Sequence, residues 1–242
     1  VIPLDPVALV PAAEEAIAAG LAVVNTDLAL GPDLTTSQPQ IEGQAGTVMT
    51  PGTVRAENIT SLLLAACENV DPCRVGWIAG VATIDFEVKI KERLDQIVAD
   101  NPNIQLVAYL DGGGYLADPA VAIAQDILQA NPELEVLATS GDQMTSGAEI
   151  AVTDAGLVPG EDILLIGGGG SCPGVTAVTE GRWFGTTLDV PRNEGVLGAE
   201  IAIGWVRGDI TEPQGVDAQA ESGFPSLLTA DTVSQFECQW EG

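Results

Sequence analysis

An alternation of segment types limits this chain most. Short apolar runs at residues 75–79, 104–109, 134–138, 163–166 and 183–188 are separated by longer amphipathic stretches or turns. Runs this short, bounded by turn residues, read as strands buried on both faces. The longer segments carry helix signals. Asp118-Pro119 opens a helix running to Ala130, with Ile123, Ile127 and Leu128 on one stripe and Asn131-Pro132 as its stop. Asp142 is placed to cap a helix over 143–155, and residues 86–99 and 191–206 read as helices too. Near the start, Asp5-Pro6 opens a helix with Leu9, Val10, Ala13, Ala16 and Ile17 on one face. Gly20 ends it, the run 21–24 follows, and residues 1–4 read as the tail of a strand. Strands alternating with helices predict an α/β fold of parallel sheets covered on both faces.

Composition narrows the function. Of 242 residues, 46% are apolar, enough for a sizeable core. No apolar run approaches the roughly 18 residues a membrane span needs. Eight Lys and Arg against 35 Asp and Glu leave a net charge of −27, which repels phosphate backbones and argues against nucleic acid. The same acidity suits a surface kept soluble in salt or in crowding. His is absent, which removes imidazole acid–base chemistry, Ser-His-Asp triads and His metal sites. Nothing in the sequence calls for a cofactor or a metal.

Ligands of open parallel sheets sit beyond the carboxyl ends of the strands. The polar residues at those ends are Asn25 and Asp27, Asp85 and Phe86, the segment 111–115, Ser140 and Asp142, the loop 167–171, and Asp189 with Arg192. Each has a plainer use as a cap or turn, and Asp142 in particular as an N-cap. Tyr115, in GGGYLADP, offers a flat face of the kind a sugar ring packs against. The run Gly167-Gly168-Gly169-Gly170 follows a strand, but the dinucleotide fingerprint fails at Cys172 and Pro173. Close backbone approach is the reading that remains for these glycines. Cys67 and Cys73 frame CENVDPC, whose Asp71-Pro72 supplies a turn. A local disulfide is expected there, with two free thiols as the alternative, and a bridge would mean an oxidising compartment. The spacing of Cys172 and Cys238 suggests no pairing.

The order of segments resembles one family. PLDPVALVPAAEEAIAAGLAVVNTD (3–27) resembles the segment of type I periplasmic binding proteins in which a helix leads to a strand ending in a ligand-binding Asp. ILQANPELEVLATSGDQMTSGAEIA (127–151) and EGRWFGTTLDVPRNEGVLGAEIA (180–202) resemble two further segments of the family, in the right order. The likeness is greatest to ribose-type sugar-binding proteins of ABC importers.

The resemblance implies two doubly wound lobes joined by three crossings, with the ligand in the cleft between them. The crossings fall near Thr50, near Asp189 and between Gly215 and Leu227. The N-lobe is then 1–50 plus 190–218, and the C-lobe 51–189 plus 219–242. Roughly two βα units of the family precede the point where this sequence begins, so the N-lobe is expected to be incomplete. The implied ligand contacts are Asp27, Asn25, Phe86, Tyr115, Asp142, Asp189 and Arg192. Leu28 stands where ribose binders have Arg, Gly141 where they have Asn, Gly169 where they have Asp and Asp189 where they have Gln. The Arg of the first C-lobe helix has no clear counterpart, Lys89 and Lys91 being nearest. These departures imply a ligand other than ribose, and the two glycines a roomier, less polar wall. The implied protein is not an enzyme. It is an exported monomer in the periplasm or cell envelope that binds a sugar or polyol for a membrane permease. The effector domain of a LacI-type repressor is the alternative.

Overall fold

The computed structural model describes residues 1–112 and 114–242, with Asp85 described by its backbone alone. Two of the strand-end positions named above, Gly113 and the Asp85 side chain, therefore lie outside the described residues. The chain divides into two compact units, Val1–Val54 with Val190–Phe224, and Arg55–Asp189 with Pro225–Gly242.

The first unit holds a parallel sheet of β1 (Val24–Thr26), β2 (Gly46–Met49) and β8 (Gln214–Asp217), ordered β1-β2-β8. Around it lie α1 (Val10–Ala18), α7 (Pro191–Arg207) and the short α8 (Ala218–Ser222). Ala13, Val23, Leu30 and Ile41 form a small core, and Ile201 of α7 packs on Gly46 of β2. The N-terminal helix starts later than Asp5-Pro6 predicts. Asp5 accepts a bond from the Ala8 N–H at 2.9 Å, but this closes a turn, and the helix itself begins at Val10. Residues 1–4 form no strand. Val1 alone lies beside β1, donating to the Val24 carbonyl and accepting from the Thr26 N–H, both at 2.8 Å.

The second unit is built on a sheet of β3 (Cys73–Ala79), β4 (Ile104–Asp111), β5 (Val136–Thr139), β6 (Leu164–Gly169), β7 (Gly185–Leu188) and β9 (Leu227–Thr229), ordered β4-β3-β5-β6-β7-β9. All neighbours are parallel except β7 and β9, so the expected parallel sheet closes on an antiparallel edge strand. Its helices are α2 (Gly52–Ala66), α3 (Asp85–Asp100), α4 (Ala117–Ala130), α5 (Asp142–Asp154) and α6 (Cys172–Thr179). Successive β3 side chains take opposite faces. Val75, Trp77 and Ala79 join the core made with Ile59, Leu62 and Leu63 of α2 and Ile90, Leu94 and Ile97 of α3. Gly76, between them, faces Ile127 of α4.

The chain steps from β3 outward to β4, then returns across β3 to β5, β6 and β7. Right-handed crossovers put helices on both faces when the winding reverses in this way. The reversal lies between β3 and β5.

Two disulfides pin the second unit. Cys67 and Cys73 are bonded, as the short turn between them predicts, with Cα atoms 5.6 Å apart. Cys172 and Cys238, 66 residues apart, are bonded as well, with Cα atoms 5.0 Å apart. The second pair fastens the C-terminal tail to the start of α6.

Candidate functional site

At the winding reversal the connections leaving the carboxyl ends of β3 and β5 run in opposite directions, the place where open α/β sheets take ligands. The sequence puts Gly80 just past β3 and Ser140 just past β5. Between them stands the Glu87 carboxylate, delivered by the first turn of α3 and fully buried. One oxygen, Oε1, accepts from the Gly80 N–H at 2.6 Å and the Tyr115 hydroxyl at 2.8 Å. The other accepts from the Ser140 hydroxyl at 2.7 Å. Ser140 Oγ in turn accepts from the Trp77 indole N–H at 3.2 Å. Burial pushes the Glu87 carboxyl above its usual range, while the three donors pull it back. Burial and then the Glu87 charge hold the Tyr115 phenol well above its ordinary value. Glu87 is therefore a fixed acceptor that aims Tyr115.

Gly80 makes this arrangement possible. A Cβ there would run into the Tyr115 ring, so only glycine lets the ring lie over the end of β3. The array continues outward. The Phe86 and Tyr115 rings stack with centroids 6.0 Å apart and planes inclined by 27°. The Arg55 guanidinium lies 5.6 Å from the Phe86 ring centre, and its Nη1 is 3.5 Å from Asp189 Oδ2. Cation, aromatic faces, hydroxyl and carboxylates thus line one edge of the second unit. Flat apolar surface with a few fixed polar groups suits a polyhydroxylated ring.

Of the expected contacts, Phe86, Tyr115 and Asp189 belong to this array. Asp142 is close by but spoken for. It is fully buried and accepts from the Ser171 N–H at 2.7 Å, the Ser171 hydroxyl at 2.8 Å and the Thr186 hydroxyl at 2.6 Å. Burial lifts its carboxyl to about 6 against these bonds. Nor does it cap α5 with its side chain. Gly141 is the N-cap residue, and Asp142 braces β7 and the loop before α6.

Asn25, Asp27 and Arg192 lie in the first unit. Asn25 is buried, donating to the Leu28 carbonyl at 2.6 Å and accepting from Gln44 Nε2 at 2.6 Å and the Thr47 hydroxyl at 2.7 Å. It fixes the turn that presents Asp27 at the end of β1. Asp27 has φ of 68°, the one non-glycine in left-handed conformation among the described residues. Asp tolerates that region better than most residues, and such outliers gather where function needs a set geometry. Arg192 is exposed on the second residue of α7.

Arg55, Glu87 and Ser140 complete the array, and the first two are not among the residues the sequence singles out. Lys89 and Lys91, the cations nearest in sequence to the family's Arg, bond instead to Glu92 at 3.0 Å and Asp95 at 2.7 Å along α3. Arg55, from α2, does reach the strand ends, at Asp189 just past β7. The roomier wall expected from the two glycines is also corrected. A Cβ on Gly141 would be 3.1 Å from the Tyr115 ring, and one on Gly169 would be 2.7 Å from the Trp240 indole. Aromatic rings from elsewhere in the chain fill both spaces.

The profile described as periplasmic binding protein domain matches residues 1–209. The chain belongs to this family. Among curated proteins, the ribose import binding proteins of Salmonella typhimurium and Escherichia coli (strain K12) are each 29% identical over 87 residues. Those matches cover 36% of this chain and 28% of each relative, so the similar region is about a quarter of the relatives' length. Among solved structures, the ABC transporter periplasmic solute binding protein of Actinobacillus succinogenes with bound D-allose has a TM-score of 0.80 at 21% identity, covering 97% of this chain and 79% of that one. A galactofuranose binding protein gives 0.77 at 19%, covering 97% and 75%. A periplasmic ribose ABC transporter protein from Conexibacter woesei gives 0.74 at 18%, covering 97% and 73%. At such identities the likeness is one of fold.

Proposed function

We propose that this chain is the solute-binding protein of an ABC importer and that it holds a sugar or polyol for a membrane permease. The observation that carries the reading is the Glu87–Tyr115–Phe86–Arg55 array at the winding reversal, in a member of a binding-protein family. Phe86, Tyr115, Asp189 and Arg55 contact the ligand, and Asp27 is a further acceptor for its hydroxyls. Glu87, Asn25 and Asp142 hold those contacts in place, and Arg192 adds a cation at the start of α7. The work is binding and release, without covalent chemistry. Glu87 supports this, because its three partners are all donors and hold it as an acceptor rather than as a free base. Two disulfides suit a cell-envelope location, since such bonds persist in oxidising compartments. The ribose import binding proteins and the solute binding protein named above are similar to this chain, which does not favour the repressor alternative.

The test is a thermal-shift screen of D-ribose, D-allose, L-arabinose, D-galactose and myo-inositol, with calorimetric titration of every hit. A saturable one-to-one isotherm with at least one of them is expected. Failure of all of them, and of a wider panel of neutral sugars and polyols, would overturn the reading.

A further inference from the structure

The C-terminal tail reaches the carboxyl edge of the same sheet as the array, at the end of β6 and beside Asp189. The Cys172–Cys238 bridge fastens it, and the Cys172 N–H donates to the Trp240 carbonyl at 2.8 Å. The Trp240 indole N–H donates to the Gly169 carbonyl at 2.9 Å, on the last residue of β6. Gly169 has φ of 127°, and its missing side chain is what admits the indole. The position a Cβ would take is 2.7 Å from Trp240 Cζ2 and 3.8 Å from Asp189 Oδ2. The indole and the Asp189 carboxylate therefore flank one Cα at the carboxyl edge of the sheet.

Trp240 differs from Trp77 and Trp183, which are buried in the core. It is only half-buried, and its one polar atom is already bonded to Gly169. The rest of the ring is apolar surface beside an acceptor. Sugar rings are recognised by that pairing, with hydroxyls on the carboxylate and C–H faces on the aromatic.

We propose that Trp240 is a wall of the ligand site and that the Cys172–Cys238 bridge positions it, so that affinity depends on the tail. The proposal rests on the sugar-binding reading above. The aromatic wall at β6 would then come from the end of the chain, in place of a polar side chain at position 169.

The probe is whichever sugar or polyol of the screen binds the wild-type protein most tightly. Trp240→Ala should weaken it by about 2- to 12-fold, the range an aromatic contact supplies. Trp240→Phe keeps a flat face and should lose less. The double variant Cys172→Ser/Cys238→Ser keeps the indole but frees the tail, and should weaken binding as Trp240→Ala does. A tail that merely plugs the sheet would lower the melting point in these variants and leave the dissociation constant unchanged. Should Trp240→Ala not fold, fluorescence decides. Saturating sugar should change tryptophan emission in the wild type, and most of that change should vanish in Trp240→Phe. An unchanged response there, or affinities equal to wild type in Trp240→Ala and the double variant, would overturn the proposal while leaving the sugar-binding reading intact. A wild type that binds no sugar or polyol overturns both.

Discussion

Removing the Glu87 carboxylate should cost the second unit more than any exposed substitution could. In Glu87→Ala the Gly80 N–H and the Tyr115 and Ser140 hydroxyls lose their acceptor, although Ser140 still accepts from the Trp77 indole. A buried donor left unpaired costs about 1–3 kcal/mol. Three of them, with one lost methylene at about 0.8 kcal/mol, sum to about 4–10 kcal/mol. That is a large part of the roughly 5–15 kcal/mol by which domains are stable. Glu87→Gln keeps one carbonyl oxygen for Gly80 and Tyr115, and Ser140 can turn to accept from the new amide. Its cost should stay near 1 kcal/mol, about that of one net hydrogen bond. The pH dependence separates charge from shape. Burial raises the Glu87 carboxyl above 4.5, so the folded state holds the proton more tightly than the unfolded one. That contribution is complete below the unfolded value and is lost as pH rises through the folded value. Wild type should therefore lose ground to Glu87→Gln on going from acid to neutral pH. The assay is urea unfolding followed by circular dichroism and by tryptophan fluorescence, at several pH values. A Glu87→Ala protein within about 1 kcal/mol of wild type at neutral pH would mean that Glu87 does not hold the three donors.

Three other outcomes are expected. Asp142, lifted from 3.8 to about 6, should make wild type lose about 2 kcal/mol relative to Asp142→Asn between pH 4 and pH 7, the wild type gaining toward acid; parallel urea midpoints across that range would refute this. Gly80→Ala should drive the Tyr115 ring off the end of β3, costing about 1–3 kcal/mol and weakening any sugar of the screen that binds wild type, as unfolding and titration of one preparation would show. Cys67→Ser/Cys73→Ser opens a loop of sequence separation 6 and should lower stability by about 2 kcal/mol without changing ligand affinity, because the bridge lies at the amino end of β3, away from the array.

The sequence is legible where structure is local. The runs that become β3, β4, β5 and β6 are each surrounded by their own turn residues, and the helices between them carry their stops. The Cys67–Cys73 bridge is legible for the same reason, since a short turn alone brings the sulfurs together. Two site residues are half-legible. Arg55 sits one turn into α2, whose stripe of Ile59, Leu62, Leu63 and Ala66 has helical spacing, although the short β2 before it has no pattern of its own. Glu87 falls on the same stripe of α3 as Ile90, Leu94 and Ile97, and a carboxylate on an apolar stripe is a signal that it must meet donors.

Gly141 and Gly169 show where local reading stops. From the sequence, glycine at both positions means an absent side chain and hence more room. In the fold each absence is where a ring arrives, Tyr115 from the start of α4 and Trp240 from a tail 71 residues away. What a glycine leaves open is decided by which distant segment the topology brings to it. The Cys172–Cys238 pairing obeys the same logic, because no spacing encodes it and only the packing of the tail against β6 does. Ligand specificity in this chain would then be set less by the residues at the strand ends than by the segments that close over them.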